Sequence, residues 1–354
     1  MTDAERTGPE RTGPEKSATG HLEAGHPEAG HPEAGHPEAG HPEAGPTQAG
    51  PTQAGPTQAG QTQAGQTPTS VNARARAPRP WRVALSLFTV LPAGVPGAIR
   101  RDTAAKALPW LPAVGAMVAA IAAGAMFAVQ AGGQSEGRRL LAATLAVAIL
   151  GLLTGGLHLD GLADTADGLG SRRPRREALA IMRRPDIGPM GVAALLLVVL
   201  LQITALAAIP PGGLSIAALV LAAVTGRVAV VLATGPGSPS ARPGGFGALI
   251  TDTTTARVRV AAVAALLAAV AAAGFLLSAF PQATLPLGRV AGAPRGDGPA
   301  IAARWLVATL AGLLAAELLR RTAKRRLGGM TGDVFGAVIE VCTATVLLVL
   351  ALSS

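Results

Sequence analysis

Three aspartates, Asp160, Asp164 and Asp167, fall within the run Gly155-Gly-Leu-His-Leu-Asp-Gly-Leu-Ala-Asp-Thr-Ala-Asp-Gly168 at positions i, i+4 and i+7. On a helix that spacing stacks them on one face. Like charges so placed repel, so a run of carboxylates with no interleaved base needs a compensating cation, and oxygen-only ligation selects a hard ion such as Mg²⁺ or Mn²⁺. A solvated acidic face is the plain alternative. Against it, Ala, Leu and Gly surround the acids, and three of the 12 acids in residues 71–354 fall within eight positions. His158 precedes Asp160 by two residues and is the only histidine outside the N-terminal repeats. It reads either as a satisfied structural histidine or as a general base beside the metal, because an imidazole titrates near neutrality.

Three further elements suit a phosphate-bearing substrate. Arg227 lies inside an apolar run, about two turns from its end, where a guanidinium faces a cavity or partner, or snorkels to the interface. In Ala241-Arg-Pro-Gly-Gly-Phe-Gly247 the glycines let backbone N–H groups approach an anion and Arg242 can grip phosphate oxygens, although a plain flexible loop has the same composition. Lys324, Arg325 and Arg326 precede the glycine-dense turn Gly328-Gly-Met-Thr-Gly332, and Asp333 follows it. That aspartate can complete a metal site or cap the next helix. A multivalent metal, several arginines, a Gly-rich loop and a histidine around one pocket describe phosphoryl or nucleotidyl chemistry on a pyrophosphate. No GxxxxGK[ST] run occurs, which excludes nucleotide hydrolysis by a P-loop.

The elements that must hold these residues are membrane helices. Of 354 residues 49% are apolar and only 14% charged, against roughly 25% charged in soluble domains. Runs at 109–131, 139–158, 190–210, 214–234, 258–280, 300–319 and 335–352 are each near the roughly 20 residues a bilayer requires. The expected fold is therefore an all-α polytopic membrane protein of about seven transmembrane helices. Trp81–Pro96, shorter and broken by Pro92, is read as an interfacial or re-entrant segment. Lys and Arg are concentrated in 74–106, 159–188, 235–259 and 320–333, with two each in the alternate connections. The positive-inside rule then puts those four segments and the acidic motif on the cytoplasmic face of the cell membrane, and the C-terminus outside. No stacking-aromatic motif accompanies the basic excess, so nucleic acid is not an expected partner. A single cysteine, Cys342, excludes an intramolecular disulfide and any cysteine-based metal site.

Residues 1–70 differ from everything that follows. GHPEA recurs from Gly25 to Ala44, then GPTQA and GQTQA copies continue to about Thr69. With nine acids, three bases and almost no large apolar side chain, this tail is expected to be disordered. His21, His26, His31, His36 and His41 repeat at five-residue spacing within it, compatible with a solvated spacer or weak metal binding.

The runs Gly155–Gly168, Ile181–Gly191, Thr225–Arg227, Ala241–Gly247 and Gly328–Ala337 occur in the order, and with the motifs, of the cobalamin synthase family, adenosylcobinamide-GDP ribazoletransferase, which the chain resembles from about Trp81 to Leu352. FTVLPAG at Phe88–Gly94 and PWLPAVG at Pro109–Gly115 are similar to that family's opening segment. The resemblance implies a membrane enzyme that joins adenosylcobinamide-GDP to α-ribazole or its 5′-phosphate and releases GMP, with Mg²⁺ required. It implies Asp160, Asp164, Asp167 and Asp333 as metal ligands and His158 or Asp167 as base. Arg227, Arg242, Lys324 and Arg325 would hold phosphates, and other cobalamin-assembly enzymes would be candidate partners. Two departures stand out: Arg183-Arg184 replaces the family's usual Lys-Asp, and the repeat tail has no counterpart. A CDP-alcohol phosphotransferase would need an arginine shortly after Asp160-Gly161, and none is there. A transporter would not need its acids and glycine loops gathered on one face.

Overall fold

The computed structural model describes residues 78–94, 97–133, 135–279, 284–285, 288–289 and 298–354. The repeat tail, and Arg74, Arg76 and Arg295 among the basic residues counted above, lie outside the described residues.

The described residues are helical almost throughout. A short helix α1 (Pro80–Phe88) precedes α2 (Arg101–Ala107), which runs through a 3₁₀ turn into α3 (Leu111–Ala131). There follow α4 (Glu136–Leu153), α5 (Leu157–Gly170), α6 (Arg175–Ile181), α7 (Pro189–Ala208), α8 (Gly213–Ala233), α9 (Gly245–Ile250), α10 (Ala256–Ala279), α11 (Gly298–Leu327) and α12 (Gly332–Leu352). Thr284–Leu285 and Gly288–Arg289 pair antiparallel.

Among the described residues six helices are long and apolar enough to cross a bilayer: Arg101–Ala131, Pro189–Ala208, Gly213–Ala233, Ala256–Ala273, Pro299–Leu327 and Gly332–Leu352. The pair α4 and α5, bent by 88°, has the length and composition of a broken span or a re-entrant loop. The protein is a polytopic membrane protein whose centre is α8 and α12, while α7 and α10 turn most of their side chains outward. Leu196, Leu197, Leu200, Leu310 and Leu314 are exposed on that outer surface, as lipid-facing leucines should be.

Two expected spans change shape. The run 139–158 does not end at His158, because α4 stops at Leu153 and successive left-handed residues, Gly155 (φ +62°) and Gly156 (φ +71°), turn the chain. Residues with a Cβ resist that conformation, so the twin glycines set the corner. His158 consequently lies in the first turn of α5, a helix of roughly 21 Å that is too short to span. The run 300–319 lengthens into the 30-residue α11, since nothing breaks the helix before Gly328. Its basic cluster therefore sits on a helix rather than in a loop.

Candidate active site

Helix α5 lies across the N-terminal half of α12, and glycines on both sides let the backbones touch. A Cβ on Gly161 would stand 2.6 Å from the Asp333 carbonyl oxygen, and one on Gly336 would stand 3.0 Å from the His158 Cα. This crossing brings residues from two distant motifs onto one cavity of about 230 Å³, lined by His158, Asp160 and Asp333 together with Phe88, Phe246 and Ile339. The phenyl rings of Phe88 and Phe246 meet edge to face at 5.4 Å. Phe88 is delivered by α1, whose following segment is tied to the end of α4 by Val90 N–H donating to Leu153 O at 2.9 Å.

The acids of α5 separate by burial. Asp160 is exposed, Asp164 half-buried and Asp167 buried. Asp164 is within electrostatic range of Asp160, Asp333 and Asp167. Asp167, expected as a metal ligand and candidate base, is instead turned onto the start of α7. Its Oδ2 accepts from Gly188 N–H at 2.7 Å and its Oδ1 from Gly191 N–H at 2.8 Å. Those donors are among the first-turn groups that no helix can satisfy internally. A carboxylate at the positive end of the helix dipole is stabilising there, so Asp167 joins α5 to α7 and is withdrawn from the cavity.

The two glycine loops are stitched together by their backbones. Ser240 and Met330 form a β-bridge, with Ala241 N–H donating to Met330 O at 2.9 Å and Met330 N–H to Pro239 O at 2.8 Å. Gly329 (φ +156°) packs directly on the Pro239 carbonyl, leaving no room for a side chain. Arg175 crosses from α6 to donate to Ala241 O at 3.0 Å. In this frame Arg242 donates to Leu179 O at 2.9 Å and stands 3.7 Å from Asp333. Burial is the largest influence on the Arg242 pKa and lowers it, opposed first by the charge of Asp333. Capping of α12 falls to Thr331, whose hydroxyl accepts from Val334 N–H at 3.3 Å and donates to Asp333 Oδ2 at 3.1 Å. Asp333 is thereby released from the cap and faces Arg242.

On the inner side of His158 is a second, closed cavity of about 20 Å³ bounded by Gln202, Arg227, Glu340 and Thr343. Glu340 Oε1 is 3.8 Å from His158 Nδ1, and its Oε2 accepts from Gln202 Nε2 at 2.7 Å. Arg227, expected to face a cavity or partner or to snorkel, is only 4% exposed and lines this cavity, where it donates to Ala223 O at 3.3 Å and lies in electrostatic range of Glu340. Lys324 and Arg325 are exposed on the last turn of α11 and do not line the cavity that holds Asp160 and Asp333. Arg183, Arg184 and Asp186 are exposed as well.

Glu340 and Gln202 were not singled out from the sequence, although a lone carboxylate within the apolar run of α12 was a usable signal. Phe88 and Phe246 lie within runs similar to the family's, but nothing in the sequence marked their role or that of Arg175, because only the tertiary packing gives them a neighbour.

Among the described residues no three His, Cys, Asp or Glu side chains stand close enough to hold a metal ion by themselves. Four converging carboxylates are therefore not what the chain builds. Mg²⁺, however, is ordinarily held by one or two carboxylates and completes its shell with water and substrate phosphates. Asp160 and Asp333 on one cavity, with Asp164 in electrostatic range, fit that mode.

Apolar crossings closed around a single polar end, with acids, an arginine and a histidine converging there, describe an integral membrane enzyme. Comparison with known proteins refines the class. The family described as cobalamin-5-phosphate synthase matches residues 80–351, and the chain belongs to that family, transferases of cobalamin synthesis. An adenosylcobinamide-GDP ribazoletransferase of Frankia casuarinae is 39% identical over 277 residues, covering 77% of this chain and 94% of the relative. The enzymes of that name from Pseudomonas fluorescens and Brevibacillus brevis are 36% identical (77% of this chain, 99% of the relative) and 33% identical (75% and 95%). No solved structure matches.

Proposed function

We propose that the protein is a Mg²⁺-dependent phosphotransferase that joins adenosylcobinamide-GDP to α-ribazole, or to its 5′-phosphate, and releases GMP. The observation that carries the reading is the meeting of Asp160, Asp333 and His158 on one cavity, with Arg242 3.7 Å from Asp333. A ribazole hydroxyl attacks the phosphorus nearer cobinamide. A new P–O bond forms, the bond from that phosphorus to the bridging pyrophosphate oxygen breaks, and GMP leaves with that oxygen. The hydroxyl proton passes to His158, since Asp167 is occupied by two backbone donors and the remaining acids are assigned to the metal.

Asp160 and Asp333 would hold Mg²⁺, with Asp164 in electrostatic range, and the ion when bound would offset the pyrophosphate charge and the charge developing on GMP. Arg242 orients the phosphates, its own guanidinium fixed by Leu179 O. Phe88 and Phe246 wall the cavity against water. Exposed Lys324 and Arg325 attract the anionic substrate at longer range. The polar end faces the cytoplasm, as the Lys and Arg distribution favours.

Purified protein supplied with adenosylcobinamide-GDP, α-ribazole and Mg²⁺ should release GMP and form cobalamin in equal amounts. Absence of GMP release, or release without cobalamin, overturns the reading.

A further inference from the structure

We propose that Glu340 is a positioning residue for this reaction, and that it acts by fixing the His158 ring from the inner side of the site. The inference rests on the reading of His158 as the base.

Asp333, Gly336 and Glu340 occupy positions i, i+3 and i+7 of α12 and so share one face. That face meets α5. Asp333 reaches the substrate cavity, Gly336 receives the His158 backbone, and Glu340 lies beneath the imidazole, 3.8 Å from Nδ1. The carboxylate is itself held. Its second oxygen accepts from the 2%-exposed Gln202 at 2.7 Å, and Arg227 stands close enough to compensate its charge.

A buried carboxylate is costly unless its charge is compensated and its oxygens hydrogen-bonded. Gln202 supplies the hydrogen bond, Arg227 lies in electrostatic range, and His158 is the nearest basic ring. The other ring nitrogen, His158 Nε2, is buried and has no hydrogen-bond partner among the described residues. A carboxylate 3.8 Å from Nδ1 acts on the ring through its charge, favouring the tautomer in which Nδ1 carries the proton and Nε2 is the acceptor. Gly336 and the α5 backbone fix where the ring starts, and Glu340 fixes which way it turns.

The test uses the full-length protein assayed with adenosylcobinamide-GDP, α-ribazole and Mg²⁺. Glu340→Gln should lower kcat by about 10- to 100-fold, part of the range for general-base catalysis, with KM for both substrates within about threefold. Glu340→Asp should restore part of the loss. In a His158→Gln background the same Glu340→Gln change should cost less than about twofold, because residues that act as a unit are not additive. Losses that multiply across the two sites overturn the proposal. So does an unchanged kcat in Glu340→Gln while His158→Gln is inactive. Full activity of His158→Gln overturns instead the assignment of the base. Should Glu340→Gln fail to insert, Gln202→Met decides the matter, since it removes the side-chain donor that holds Glu340 and leaves the carboxylate in place. It should lower kcat at constant KM in the parent and have no effect in His158→Gln, and an unchanged kcat in the parent overturns the proposal.

Discussion

Gly161 of α5 lies so near Asp333 of α12 that a Cβ on the glycine would stand 2.6 Å from the Asp333 carbonyl oxygen. The two residues are far apart in sequence, and no side chain of either makes the contact. It is backbone packing that sets the separation of the acids on the two helices. Any side chain at Gly161 acts as a wedge between Asp160 and Asp333.

Gly161→Ala and Gly336→Ala should each lower turnover by at least about tenfold, since overpacking of about 1–3 kcal/mol is relieved by separating α5 from α12. A single methyl leaves the apolar character of the spanning helices unchanged, so the amount inserted in the membrane should stay near that of the parent. Activity per inserted molecule is the measurement, and equal values would mean the crossing tolerates a shift.

The acids of α5, with Asp333 of α12, should divide into two kinds. Asp160→Asn, Asp164→Asn and Asp333→Asn should each cut turnover by at least about 100-fold, the scale of losing a major electrostatic contribution, and raise the Mg²⁺ concentration needed for half activity. Asp167→Ala should act differently, leaving two helix N–H groups unpaired and lowering thermal stability by about 2 kcal/mol or more, with no change in the Mg²⁺ requirement of the surviving activity. Mg²⁺ titration and thermal unfolding in detergent distinguish the two, and a shifted Mg²⁺ requirement in Asp167→Ala would return that residue to the metal.

Topology is open to direct labelling. Cys342 is fully buried and should not react, so introduced cysteines report alone. At the exposed positions Arg173 and Pro239 a membrane-impermeant thiol reagent should label only from the cytoplasmic side, and at Ser135 and Ser354 only from outside. The opposite pattern would put the acids across the membrane from a nucleotide substrate.

A chain beginning at Val71 should insert and turn over like the full protein. The family match starts at residue 80, and the aligned region already covers 94% of the Frankia casuarinae relative. Nine acids in residues 1–70 leave room for a weak attraction to basic loops, so apparent substrate affinity should change only slightly and in a way salt removes. A turnover loss beyond about tenfold at ordinary ionic strength would make the repeats a working part of the enzyme.

The sequence alone determined the membrane architecture and the chemistry's raw material. Hydropathy is a local property, summed over some 20 neighbouring residues, so the spans around α7, α8, α10 and α12 were legible to within a few positions. The acids of Gly155–Gly168 and the glycine loops were legible too, because their unusual composition is contiguous. The tertiary structure decided how these parts are used. Leu157 and Leu159 continue the apolar run of α4, so hydropathy carries the run past Gly155 and Gly156, where the chain turns through 88°. Spacing put Asp167 with the other acids, yet its partners are two N–H groups on another helix. Arg227 was read as a phosphate ligand from α8, and the structure buries it in electrostatic range of Glu340 on α12. Each of these assignments depends on which helices touch, and a side chain's role in a bundle is fixed by the group opposite it, which may be a hundred residues away.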